Sequence, residues 1–230
     1  MPGADGQLIA SDPTLYNFGL RMTTKPDNTG VIVGYTGIPG NQPHSYNNSL
    51  ALWNSFSPVF SGPRKQKPLC VVPIADDLQP NAILVPWPFT GTDYLVTQQV
   101  DDSLTTMCAA LELSPRLPMT VPPSAVTLTV SQLDDSSITI LYSTLRGYLP
   151  KTFGNWVGVW QGFAGPYDPA GPYSWAPVDR DLTQDFLTVS NLTITPGIDY
   201  SVIYFMGPQA DGVPGTNLGA VLTFTATKSG

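Results

Sequence analysis

The sequence predicts an all-β protein built as two tandem antiparallel β-sandwiches, and three observations carry that expectation. Charged residues make up 12 % of the 230 positions, about half of the ~25 % usual in soluble domains, while 21 glycines and 24 prolines fill close to a fifth of the chain. Proline costs about 3 kcal/mol and glycine about 1 kcal/mol in a helix interior, so surface helices are disfavoured. Next, runs such as 125–130 and 137–141 alternate with period two and are parted by Asp134-Asp135-Ser136, which is hairpin chemistry. Lastly, the chain repeats itself. Hydrophobic residues at 42 % suffice for a folded core.

Taken in chain order, a short N-terminal arm precedes the first copy, where 31–36 and then Leu50-Ala51-Leu52-Trp53 read as strands. Their counterparts are 138–143 and Val157-Gly158-Val159-Trp160. Tyr35 and Tyr142, Pro43 and Pro150, Asn48 and Asn155, and Trp53 and Trp160 all stand 107 positions apart. Further on, 91–96 matches 197–202 at a spacing of 106, and 109–113 matches 220–224 at 111, the slack falling in the longer turn 207–215. Agreement in order at near-constant spacing defines a duplication. It divides the chain into a first sandwich with its arm (1–113), a linker (114–123) and a second sandwich (124–230). The linker holds four prolines in ten residues, which favours a stiff extended connection. A rigid two-module rod or a pair packed side by side follows. Strands 186–189, 200–204 and 221–225, rich in Thr, Val, Ile and Tyr, complete six or seven per copy, each with one face inward and one outward.

The charge balance excludes function classes. Ten basic against seventeen acidic residues give a net charge of −7 and no footprint for nucleic acid. The one basic run, Arg64-Lys65-Gln66-Lys67, reads as a solvated loop. No apolar stretch approaches the ~20 residues of a spanning helix, and residues 1–6 lack the features of a secretory leader. The composition is compatible with an extracellular or exported protein. Cys70 and Cys108 lie in apolar runs and read as buried free thiols, with a disulfide between them as the alternative.

Chemistry is sparse. His44 is the only histidine, and no G-x-S-x-G elbow is present, so neither an enzyme nor a cofactor is expected. Asp179, Asp181 and Asp185 crowd one segment and form a weak calcium candidate, set against a solvated loop with Arg180 as counter-ion. The strongest binding candidates are aromatics on a Pro- and Gly-stiffened loop between two strands: Phe163, Tyr167, Tyr173 and Trp175, with Trp87 as a further platform. Low surface charge and uncapped sandwich edges favour self-association.

The segment 192–202, with Leu192, Pro196-Gly197 and Tyr200, resembles the tyrosine corner of fibronectin type III domains. The resemblance implies a corner role for Tyr200 and, with Trp87-Pro88-Phe89-Thr90-Gly91 replacing the Pro-Gly turn, for Tyr94. The stretch 154–160 is similar to the immunoglobulin-like domain that precedes the catalytic domain of purple acid phosphatases, with Asn155 where those have Asp. Trp53 and Trp160 are read as structural. These resemblances imply immunoglobulin/fibronectin III-like sandwiches and carry no catalytic pocket. The expected function is a non-enzymatic module for protein–protein interaction, adhesion or structural assembly, partnered by another protein or by itself. The alternative is a lectin-like, carbohydrate-binding protein using the aromatic loop.

Overall fold

The computed structural model describes residues 7–54, 66–90, 92–114, 124–163, 171–209 and 215–229. Every regular element among them is a strand. The arm and first copy give β1 (Leu8–Asn17), β2 (Gly19–Met22), β3 (Val31–Thr36), β4 (Ser49–Trp53), β5 (Cys70–Pro73), β6 (Asn81–Val85), β7 (Tyr94–Gln99) and β8 (Met107–Leu113). The second gives β9 (Ser124–Ala125), β10 (Thr127–Asp134), β11 (Ser137–Ser143), β12 (Trp156–Gln161), β13 (Ser174–Pro177), β14 (Gln184–Ser190), β15 (Asp199–Phe205) and β16 (Leu218–Lys228).

Each copy is an antiparallel sandwich of the immunoglobulin/fibronectin III-like kind. In the first, β2-β3-β6 faces β5-β4-β7-β8; in the second, β10-β11-β14 faces β13-β12-β15-β16. Alternation places Val31, Val33 and Tyr35, and correspondingly Ile138, Ile140 and Tyr142, in the core. The duplication extends to single hydrogen bonds. Asn48 N donates to Pro43 O at 2.7 Å and Asn155 N to Pro150 O at 2.9 Å; Leu69 N donates to Leu52 O at 2.7 Å and Tyr173 N to Val159 O at 2.8 Å.

The central strands depart from simple alternation. β4 and β7 are buried on both faces, and β12 and β15 nearly so. Large outward side chains cover one another there. The Trp156 ring stacks on Phe205 at 4.0 Å, and the Trp156 and Trp160 rings lie over Gly158, where a Cβ would come within 2.6 Å of Trp160.

The N-terminal arm has a role that alternation did not reveal. β1 is paired with β16 of the second copy, from Leu8↔Lys228 to Asn17↔Ala220, with a bulge between Ser11 and Thr14 where Asp12 takes φ +52°. After the single residue Phe18, the chain changes sheet and β2 pairs with β3. The same manoeuvre recurs mid-chain. β9 pairs with β8 of the first copy, Val126 N donates to Cys108 O at 3.0 Å, and β10 then pairs with β11. Phe18 and Val126 are both buried, and Asn17 Nδ2 reaches Val126 O at 3.3 Å, tying the two changeovers together.

Two continuous ribbons result, β13-β12-β15-β16-β1/β2-β3-β6 and β5-β4-β7-β8-β9/β10-β11-β14. Each ribbon supplies one sheet to each sandwich. The copies are therefore joined by ladders side by side. Residues 115–123, which hold most of the Pro-rich linker, lie outside the described residues.

Candidate interaction surface

The two tyrosine corners are formed. Tyr200 Oη accepts from Thr195 N at 2.9 Å and donates to Thr193 O at 3.3 Å; Tyr94 Oη accepts from Thr90 N at 3.1 Å, so the altered turn still supplies a backbone partner. Trp53 and Trp160 are buried. Trp53 Nε1 donates to Thr97 Oγ1 at 2.8 Å, and Thr97 Oγ1 donates to the Gln99 amide oxygen at 2.6 Å.

A polar node at the end of β12 had no functional signature in the sequence beyond the repeated asparagine. Asn155 is fully buried; its Oδ1 accepts from Gly207 N at 2.9 Å and Tyr148 Oη at 3.2 Å, and its Nδ2 meets Tyr204 Oη at 3.0 Å. Tyr148 Oη also lies 2.6 Å from Thr105 O, in the first copy. In the first copy the equivalent positions are Asn41, Asn48 and Gln98, of which Asn48 Nδ2 bonds Asn41 Oδ1 at 3.2 Å.

The acidic segment holds loops together. Asp181 accepts from Thr152 N at 2.8 Å and Thr152 Oγ1 at 2.7 Å, and Asp77 accepts from Ser45 N at 2.9 Å and Ser45 Oγ at 2.7 Å in the same geometry. Partial desolvation pushes the Asp181 carboxyl up, but the bonds from Thr152 outweigh it and leave it below the usual range. The bonds from Ser45 likewise lower Asp77. Asp185 pairs with Arg180 at 3.4 Å and accepts from Phe186 N at 2.9 Å. Among the described residues, no group of three or more His, Cys, Asp or Glu is placed to hold a metal ion, Asp179 included. Cys70 and Cys108 are both free thiols, and burial pushes both up.

Single backbone groups on the sandwich edges are taken up locally. Asp185 Oδ1 takes the N–H of Phe186 on edge strand β14, and in the first copy Asn81 Oδ1 takes the N–H of Ala82 on β6 at 2.8 Å. Ser174 Oγ on β13 donates to Ser190 O on β14 at 2.7 Å. Such local bonds occupy backbone groups that an added strand would need.

Of the candidate aromatics, Tyr173 and Trp175 lie on and beside edge strand β13 of the second copy, while Phe163 follows the end of β12. Phe163 is 63 % exposed, Tyr173 48 % and Trp175 47 %. Tyr173 and Trp175 are two positions apart on one extended segment and so share a face, and Trp175 rests edge-on against Trp156 at 6.2 Å. Phe186, 58 % exposed, stands on edge strand β14 of the facing sheet. It was missed as a site residue, although its phase was legible: it alternates with Gln184 and Thr188, while Leu187 and Val189 point inward. Tyr167 lies outside the described residues. Trp87 is not brought to this edge; it follows β6, at the far end of the same ribbon, and packs against the first copy's core.

A concavity of about 440 Å³ lies where the copies meet, lined by Glu112 and Ser124 on one side and Arg146, Thr144, Thr183 and Gln184 on the other. It is open to solvent and lined mostly by polar and charged residues, unlike an enclosed apolar pocket.

Fold and surface together define a class: an all-β protein of two side-by-side immunoglobulin/fibronectin III-like sandwiches with an aromatic edge on one of them. Among solved structures the chain is similar to a two-domain fibronectin type III segment from chicken tenascin, at 13 % identity and a TM-score of 0.29, covering 93 % of this chain and 99 % of that one. The overlap is loose, and the strand pairing itself defines the fold. No family model and no curated protein matches the chain.

Proposed function

We propose that this chain is a non-enzymatic protein-interaction or structural module, dividing at the 114–123 segment into two copies that hold each other in fixed orientation, with the aromatic edge of the second copy as the contact surface. The observation that supports this is the divergence between copies. At the positions of Tyr173, Trp175 and Phe186 the first copy has Leu69, Val71 and Ala82, as the shared registers show. The Asx cap and the carboxylate clamp at this edge are common to both copies. The aromatics are not, so folding alone does not call for them. Exposed aromatic side chains present large area at low entropic cost, as protein contacts do. Their arrangement around an edge suits a partner that wraps it better than a flat sugar ring, which favours a protein ligand over the glycan reading. The local bond on the Phe186 N–H favours recognition through side chains there over strand addition. Adhesion belongs to the same reading, as does the kinship of the 154–160 segment with immunoglobulin-like modules that flank phosphatase catalytic domains.

The test compares wild type with a Trp175→Ala/Phe186→Ala variant against a displayed protein library and a glycan array. A protein ligand whose affinity falls at least tenfold in the variant, about 1.4 kcal/mol, is the expected result. Glycan binding abolished by the same changes reassigns the edge to carbohydrate. A protein ligand indifferent to both substitutions removes the edge from the function.

A further inference from the structure

The repeated asparagine keeps different company in the two copies. Tyr148 and Tyr204, both buried, stand 107 and 106 positions after Asn41 and Gln98. The backbone setting is shared. Val157 lies opposite Tyr204 and Leu50 opposite Gln98, and Asn155 and Asn48 each stand two residues before, one diagonal step from the partner side chain. Across that diagonal Asn155 Nδ2 meets Tyr204 Oη at 3.0 Å. Replacing two tyrosines by asparagine and glutamine withdraws side-chain volume from a place that both copies bury. It also removes bonds. Asn48 Nδ2 donates to Asn41 Oδ1 at 3.2 Å, and Asn41 Nδ2 is turned to Gln79 Oε1 at 3.2 Å. Asn48 and Gln98 are 0 % exposed, yet Asn48 Oδ1, Gln98 Oε1 and Gln98 Nε2 have no hydrogen-bond partner among the described residues.

A buried amide atom without a partner is strongly destabilising, and folded interiors satisfy such atoms with ordered water where space and several polar partners coincide. Here the two substitutions supply the space and the three amide atoms supply the partners. We infer that the node of the first copy is a buried solvent site, in which one water donates to Asn48 Oδ1 and accepts from Gln98 Nε2, while a second donates to Gln98 Oε1. Water offers donors and acceptors together and so matches this mixed set. A metal ion needs oxygens alone and would be opposed by the amide hydrogens of Gln98. The water takes the part played in the second copy by the hydroxyls of Tyr148 and Tyr204. The same two strands are thus tied by side chains in one copy and through solvent in the other. The site does not involve the aromatic edge, and it stands independently of the proposed function.

The experiment joins a crystal structure of the wild-type chain, at a resolution that shows ordered solvent, to a denaturant titration of Gln98→Met, which keeps the side chain's length and drops its amide. The expected result is solvent density within hydrogen-bond distance of both Asn48 Oδ1 and the Gln98 amide. The variant is expected to be no more stable than wild type, because it gives up its bonds to that water. A dry node overturns the inference, as does density ringed by oxygens alone at metal-ligand distances. An unfolding equilibrium constant lowered at least about fivefold by Gln98→Met also overturns it, since that is the gain from replacing a buried amide without partners by an apolar chain. The wild-type crystal structure decides the matter whether or not the variant folds.

Discussion

At the scale of single residues, the copies differ most at their buried polar nodes. Removing the Asn155 side chain leaves Tyr148, Tyr204 and the Gly207 N–H short of a buried partner. At about 1–3 kcal/mol per buried group left unsatisfied, Asn155→Ala is expected to destabilise by about 3 kcal/mol or more, and Asn48→Ala by about 1 kcal/mol. Denaturant titration measures both; equal losses would contradict the distinct roles assigned to the two nodes. Titration offers a second check. Burial pushes the phenols of Tyr148 and Tyr204 up, and that of Tyr142 up to about 12. Their folded values lie above the unfolded value of about 10, so the unfolded chain releases these protons first, and stability is lost as pH rises beyond that point. Tyrosinate absorbance should therefore rise in two stages, the second coinciding with unfolding. On the acid side, Asp77 and Asp181 are depressed, so their clamps stabilise fully above about pH 4 and fade as pH falls through the folded values. The stability gap between wild type and a Ser45→Ala/Thr152→Ala variant should close in the same window. The sequence displayed part of this: Tyr94, Tyr200 and the Asn48/Asn155 pair stand out as repeats. Asp181 looked like a metal candidate because carboxylate spacing along the chain does not reveal a hydroxyl 29 positions away.

At the scale of elements, β1 decides more than its composition suggests. Deleting residues 1–17 strips the ladder from β16 and uncovers an eleven-residue edge, so the truncated protein is expected to be destabilised and to aggregate in light scattering. A truncated chain that stays monomeric with unchanged stability would show that β1 is dispensable. The edge caps predict the opposite pairing of effects. Asn81→Ala/Asp185→Ala should alter thermal stability little, within about 1 kcal/mol, yet increase self-association, because the freed N–H groups of Ala82 and Phe186 become available. Strands β3, β11 and β14 were legible from alternation and turn residues. β1 was not, because its exposure does not alternate, its bulge at Asp12-Pro13 breaks the phase, and its partner lies some 210 residues away. Periodicity carries no information about which distant edge a strand will meet.

At the scale of the whole molecule, two copies of a duplicated unit behave as one structure because each ribbon belongs to both sandwiches. Calorimetry is expected to show a single cooperative transition, with Asn155→Ala in the second copy and Asn48→Ala in the first lowering the same midpoint. Two separable transitions, each responding to one substitution, would mean that the shared ladders contribute little. The rod and side-by-side arrangements were equally compatible with the duplication, since a repeat specifies how each unit folds and leaves open how the units meet. The closing contact, Ser229 N to Gln7 O at 2.8 Å, sets the ends of the described chain side by side. Force applied between those ends would therefore fall on one rung of the β1–β16 ladder at a time, starting at Leu8 and Lys228, in the manner of a zip. Modules strung end to end instead share a load across many rungs in shear. A single-molecule pulling measurement between these ends is therefore expected to open the β1–β16 ladder at low force.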